Sequence, residues 1–413
     1  KRKKAEAEGY DDTVTYAVLA SEGFLPGYGL EIGSIVGTAT MPSRLPGAMD
    51  FELPRPPAVA LREYMPGNLI YANGHRFVPR FYHLEPEEKK ILFHVDVAGQ
   101  AVAEIDAVKG DSGTGALGMG VATLRAVPAC DVDLAFFSHI SDDEEFRFQM
   151  ASTTYGMERS QHNGGKAFRW GGREVHILKA ARFRIVNVGP TRLVENGGTL
   201  GYPVCTVCGE SRSPFASKAE LDRFNELHEE RHSYQTIQQI GFYADVTADA
   251  LKILGCSDRE EAYSVAEALR VGATSVLDMD RDDLQVLVIS KPGGQVADAV
   301  LFDPMPGGSG LIDQICHTRW MEVVKSALEV VNDCPSGCER SCVDCLQTFR
   351  NAYYHRYLNR KRAVECIKDW GPTLIFTNDI PPKLPAGDEK PGMTVNQAED
   401  RLKDLLKRAD FPD

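Results

Sequence analysis

Four thiols fall within twelve residues, at Cys334, Cys338, Cys342 and Cys345. Apolar periodicity on a helix or strand does not gather four cysteines in this way, whereas tetrahedral coordination of one metal ion calls for this residue type at short spacings. A zinc ion held by four thiolates orders a loop that has no hydrophobic core of its own, so the ion itself contributes folding free energy. Iron–sulfur ligation also uses dense cysteine runs, but the spacing here does not match its usual patterns.

A second ligand set is Cys205 and Cys208 with His228 and His232. Ser217 and Glu220 predict a capping box that starts a helix, with Leu221, Phe224 and Leu227 on its inner face and the two histidines one turn apart near its end. A cysteine knuckle facing such a pair is the arrangement of a zinc site with two thiolate and two imidazole ligands. The 19 residues between Cys208 and His228 exceed the loop of a DNA-reading finger, and the helix carries Glu226, Glu229 and Glu230. An array of groove-reading fingers is therefore not implied. Two zinc ions are expected. The remaining cysteines, Cys130, Cys256, Cys316 and Cys366, read as small buried apolar residues.

The stretch after the quartet differs in charge from the rest of the chain. Six basic residues (Arg340, Arg350, Arg356, Arg360, Lys361, Arg362) stand against Glu339 and Asp344, in a chain of net charge −13. Guanidinium groups neutralise phosphates and tyrosines stack on bases, so Arg350, Tyr354, His355, Arg356, Arg360 and Lys361 are the candidate nucleic-acid contacts. Phe349, Tyr353 and Tyr357 are four apart and are expected on a buried helix face. A plain solvated helix accounts for the same charges, and the residues alone leave both readings open. An acidic chain excludes a surface that is basic all round, so any nucleic acid must meet a local patch.

Other motifs carry less. No Gly-x-x-x-x-Gly-Lys-[Ser/Thr] loop occurs, so this stretch holds no P-loop ATPase core. Asp303 opens a glycine-rich turn between a strand and a helix, and without a following lysine it reads as a packing turn instead of a phosphate cradle. Asp278 to Asp283 lacks the glycine and glutamate of a calcium loop and reads as a solvated turn. A free-standing hydrolase built on Asp303 or His317 is a third reading, and no catalytic residue is assigned.

The elements that must position these residues give an α+β chain of 413 residues in two or three domains. Residues 1–58 read as a lead-in whose 13–30 stretch opens with an apolar segment and whose 41–58 stretch is a proline-rich extended connection. Residues 59–201 read as a β-rich domain, with strands near 91–97, 134–138, 146–153, 166–170 and 175–188. Asn73-Gly74 and Gly171-Gly172 mark hairpins, and 110–120 reads as a glycine-rich mobile loop. Residues 202–235 read as the cysteine–histidine zinc knuckle. Residues 236–380 read as an α/β domain: strands at 242–246, 284–290, 299–302 and 373–377; a helix capped by Ser257 and Glu260; a long helix over 311–331; and another over 346–370 that follows the four-cysteine loop. Residues 381–413 read as a linker and a short amphipathic helix over 395–408. No apolar run is long enough to cross a bilayer, and the basic opening leads into alanine and glutamate instead of a signal segment, so a cytoplasmic protein is expected. The chain starts without Met on a charged stretch like a helix end, and is expected to be the later part of a longer polypeptide.

The run from Val300 through Asp303 and Leu311, the four clustered cysteines, and Leu346 to Asn351 with His355, Leu358 and Arg360 resembles the MrfA-like zinc-binding domain at the C-terminus of large superfamily 2 DNA helicases. Leu19 to Gly29, Ala60 to Gly67 and the Cys205/Cys208/His228/His232 knuckle are similar to the post-motor region of the helicases of anti-phage systems such as Druantia and DISARM. The resemblance implies zinc on Cys334, Cys338, Cys342 and Cys345. It also implies an ATP-driven motor lying before Lys1 or in another subunit, with DNA as the partner and this chain as an accessory region of a defence or repair helicase. A different reading, a zinc-stapled scaffold that docks proteins of a defence complex, stays beside it.

Overall fold

The computed structural model describes residues 34–42, 49–84, 90–105, 121–139, 152–159, 161–195, 198–291, 296–305 and 308–383. The expectations for 13–30, 110–120 and 395–408, and all but the last two residues of the expected strand 146–153, lie outside them. The fold is α+β, as the residue patterns require.

A small sheet of five strands has the order β2-β1-β8-β4-β3. Its members are β1 (Ile35–Thr40), β2 (Phe51–Arg55), β3 (Ile70–Ala72), β4 (His75–Tyr82) and β8 (Val132–His139). Asn73 and Gly74 both adopt positive φ between β3 and β4, the backbone a tight hairpin demands. The stretch read as an extended connection is more regular than expected. It contains β2, and then α1 (Pro57–Glu63), where Pro57 sits in the first turn and its missing N–H leaves no bond unmade.

The larger sheet follows the path β16-β10-β11-β13-β7-β5-β6, with β9, β12 and the β14–β15 pair attached. Its outer members on one side are β5 (Ile91–Asp96), β6 (Ala101–Glu104) and β7 (Ala122–Pro128). Its centre is β11 (Arg173–Asn187) against the 20-residue β13 (Ile237–Cys256). Joined to these are β9 (Thr154–Arg159), β10 (Gly165–Trp170), β12 (Tyr202–Cys205), β14 (Gln285–Ser290), β15 (Ala297–Phe302) and β16 (Leu374–Ile380). The Gly171-Gly172 hairpin joins β10 to β11 as expected.

Helices α3 (Arg259–Leu277), α4 (Trp320–Asn332) and α5 (Arg360–Trp370) cover one face of this sheet. The knuckle helix α2 (Lys218–His232) stands apart from them. Trp170 of β10 meets Trp320 and Trp370 edge-on at 4.9 and 4.8 Å, so one strand residue locks two helices. Gly272 of α3 lets α4 approach closely, since a Cβ there would lie 2.5 Å from the Val323 carbonyl oxygen. The cap of α3 falls one residue later than expected: Asp258, not Ser257, accepts from the Glu261 amide, while the Ser257 hydroxyl binds the Glu261 carboxylate. The long helix expected over 311–331 is interrupted. A turn at Leu311–Asp313 runs into a π-helical turn at Gln314–Thr318 before α4 begins. Ile312, Ile315, Trp320, Val324 and Ala327 are buried as the periodicity predicts, whereas Leu328 is half-buried.

Candidate metal centres and the basic segment

Helix α4 ends at Asn332 and Cys334 follows after one residue, so the quartet begins where the helix leaves its last carbonyls unpaired. The sulfur atoms converge: Cys334 to Cys338 is 3.8 Å, Cys334 to Cys342 3.5 Å, Cys338 to Cys345 3.7 Å and Cys342 to Cys345 3.9 Å. Four sulfurs at the zinc–thiolate bond length of about 2.3 Å on a tetrahedron stand about 3.8 Å apart, whereas disulfide partners stand about 2 Å apart. The spacing is that of a zinc site. Gly337 turns with positive φ and its amide binds the Cys334 carbonyl, and the Cys342 amide points at the Cys345 sulfur at 3.2 Å.

Burial pushes the Cys345 thiol up to about 12. At Cys334 the same burial is outweighed by hydrogen bonds from Cys342 and from the Ser336 and Cys338 amides, which bring it down to about 7. Four thiolates on one dication leave net negative charge, and two arginines answer it. Arg360 donates through Nε to the Cys338 carbonyl at 2.7 Å and through Nη1 to the Val331 and Asn332 carbonyls, tying the loop to the end of α4. Arg281 reaches the Cys345 and Gln347 carbonyls at 3.3 and 3.4 Å. No sequence signal points to either arginine's role, because both sets of partners are main-chain atoms brought close only by the loop.

The ligand atoms of Cys205, Cys208, His228 and His232 lie within 4.8 Å of one another. Nε2 of His232 is buried with no hydrogen-bond partner, and Nε2 of His228 is buried and makes no hydrogen bond, with the Glu210 carboxylate 3.3 Å away. Buried nitrogens aimed together at two sulfurs are costly unless an ion takes them. His228 binds the Phe224 carbonyl through Nδ1 at 2.8 Å, which fixes Nε2 as the inward atom. The Ser217–Glu220 capping box of α2 is present. Phe224 is buried and Leu221 half-buried, but Leu227 is 45% exposed, because the inward face passes through Phe224 and His228 instead.

Gly209 holds the knuckle against the small sheet. Its φ is +73°, and a Cβ there would lie 1.9 Å from the Tyr82 carbonyl oxygen. Next to it Glu210 is buried beside Arg212 at 2.8 Å, Arg231 at 3.3 Å and Arg80 at 3.6 Å. Burial raises its carboxyl, and Arg212 and Arg80 more than offset this to leave it below the usual range.

The segment after the quartet departs from the expected helix over 346–370. Phe349–Tyr357 is 3-10, broken at Tyr354, and α5 starts afresh with Asn359 capping the Lys361 and Arg362 amides. A 3-10 turn rotates each residue further than an α-turn, so residues four apart do not share a face. Phe349 is accordingly 61% exposed and not core. Tyr354, expected at the surface, is 3% exposed; it stacks on Tyr263 at 4.3 Å and its hydroxyl binds the buried Glu267 carboxylate. Arg360, also expected outward, is the loop staple described above. His355 is half-buried, with Nε2 3.0 Å from the Thr348 carbonyl and 2.7 Å from Asn351 Oδ1. Arg350, Arg356 and Lys361 remain exposed. Arg350 pairs with Asp282 at 3.0 Å, both solvated, and Arg356 lies over the Tyr357 ring at 4.8 Å.

The Asp303 turn is a packing turn. The Asp303 carboxylate is buried and accepts from the Met305 amide and from the Ser309 amide and hydroxyl, so those donors are closed to a phosphate. It is equally closed to a substrate. The Asp280 turn is a short 3-10 turn held by Asp283, as a solvated turn should be.

Residues 265–346 match the MrfA Zn-binding domain, a span that ends one residue beyond the last thiol of the quartet. The chain carries an MrfA-like zinc-binding region. An alignment of 230 positions shows 24% identity to the Druantia protein DruE of Escherichia coli (strain UMEA 4076-1), covering 49% of this chain and 12% of DruE. The crystal structure of the DUF1998 helicase MrfA bound to DNA aligns with 82% of this chain and 34% of that one, at 10% identity and a TM-score of 0.34. The same helicase bound to DNA and AMPPNP aligns at a TM-score of 0.28. The chain thus spans about an eighth of DruE and a third of MrfA. Among the described residues no helix is long and apolar enough to cross a membrane.

Proposed function

We propose that this chain is the zinc-binding accessory region of an ATP-dependent superfamily 2 DNA helicase or translocase. In this reading it guides DNA for a motor outside the sequence, in the cytoplasm, in anti-phage defence or DNA repair. The supporting observation is the pairing of an MrfA-like zinc-binding region with a segment just after the zinc loop whose Arg350, Arg356 and Lys361 are exposed, Arg350 beside Asp282. Local cations on an acidic body suit a directed phosphate contact, because the net charge of −13 repels nucleic acid elsewhere.

The test is DNA affinity of the zinc-loaded chain against salt. Replacing Arg350, Arg356 and Lys361 together by Ala lowers affinity and flattens the log–log salt slope by about 2 to 3. Unchanged DNA binding in the triple variant, with loss of a protein partner, favours a docking scaffold instead. In this reading Tyr354 and Arg360 serve the fold, and their substitution acts through stability.

A further inference from the structure

Two histidines meet on the small sheet, outside both zinc centres. His75 opens β4 directly after the Asn73-Gly74 turn, His139 closes β8, and the two stand opposite one another in the antiparallel register. Residues so opposed send their side chains to one face, with Cβ atoms about 4.5–5.5 Å apart. A register shift between Arg76 and Phe77 follows at once, a bulge of the kind that re-aims side chains. The two imidazoles lie with centroids 4.4 Å apart and planes at 55°, neither a stack nor an edge contact.

His75 Nδ1 is buried and has no hydrogen-bond partner, the condition that His232 Nε2 meets in the knuckle. The other rings against His75 are Phe136 at 5.5 Å and Phe77 at 6.4 Å, and neither offers a hydrogen-bonding atom. A buried imidazole nitrogen left alone is costly, and neutral imidazole is the ligand that zinc, nickel and copper ions share. His139 is exposed, so an ion can arrive from solvent. Bonds of about 2.0–2.1 Å place two nitrogens on one ion roughly 3 Å apart, which rings at this separation reach by turning. We propose that His75 and His139 together chelate one divalent transition ion, which gives the buried nitrogen its partner and cross-links β4 to β8. Among the described residues no third thiol, imidazole or carboxylate joins them, so water completes the shell. With half the protein ligands of either zinc centre, this site exchanges its ion with solution.

The experiment titrates nickel chloride into the zinc-loaded, desalted chain by calorimetry, with zinc content measured before and after. The variants are His75→Gln, His139→Gln, the two together, and His83→Gln, an exposed histidine paired with Asp133 at 3.0 Å that serves as control. Wild type and His83→Gln are expected to take one nickel ion per chain with no zinc released. Each of the other single variants should bind it at least about tenfold more weakly, and the double variant no more weakly still, because a chelate is lost only once. Nickel should raise the melting temperature of wild type and His83→Gln alone. Nickel uptake matched by zinc release, no uptake at all, or an equal loss in His83→Gln would each overturn the proposal. Should His75→Gln fail to fold, the exposed position decides: nickel affinity unchanged in His139→Gln overturns the site, and a loss there with the zinc content intact supports it.

Discussion

Arg360 shows how misleading a basic residue near a metal loop can be. Its side chain donates to three carbonyls that close the zinc loop onto α4, and no lysine can reproduce that fork. Arg360→Ala should destabilise the module by about 1.5 to 3 kcal/mol, and Arg360→Lys should not restore it. Denaturant unfolding monitored with zinc release checks both, and wild-type behaviour of either variant would contradict the assignment. Tyr354→Phe should leave DNA affinity unchanged while lowering stability, since its hydroxyl serves the buried Glu267. The metal ligands were legible in the sequence because their types and spacings are dictated by one ion. Tyr354 and Arg360 were not, because their partners sit far along the chain, at Glu267, Val331 and Cys338.

At the level of elements, the Asn73-Gly74 hairpin and the Ser217–Glu220 cap were legible from local chemistry, while the α3 cap was expected one residue too early, at Ser257 instead of Asp258. The breaks at Gln314–Thr318 and at Phe349–Tyr357 were not, because packing against the sheet and the zinc loop overrides helical periodicity there. Gly272→Ala should force α3 and α4 apart and lower the melting temperature, although alanine is the better helix former. A rise in melting temperature would show that the α3–α4 contact is looser than described. Chelation should raise hydrogen exchange across 300–370 before the β-rich region, because that stretch is cross-linked by metal. Equal loss of protection in both would contradict this division. Acid should do the same. Each ligand thiol must lose its proton to bind, and Cys345 is pushed up to about 12 by burial, so zinc affinity falls as pH falls. A zinc-release titration that is flat with pH would contradict it.

For the molecule as a whole, two sheets and a helical layer bring two distant ligand sets into one fold. The knuckle docks on the small sheet through Gly209, and the four-cysteine loop caps the helical layer. Both sites are expected to hold zinc, and elemental analysis of the purified chain decides it. Two zinc ions per chain, falling to one in Cys338→Ser and to one in His228→Ala, is the predicted result. A chain without stoichiometric zinc, or one carrying iron at the quartet, would contradict it.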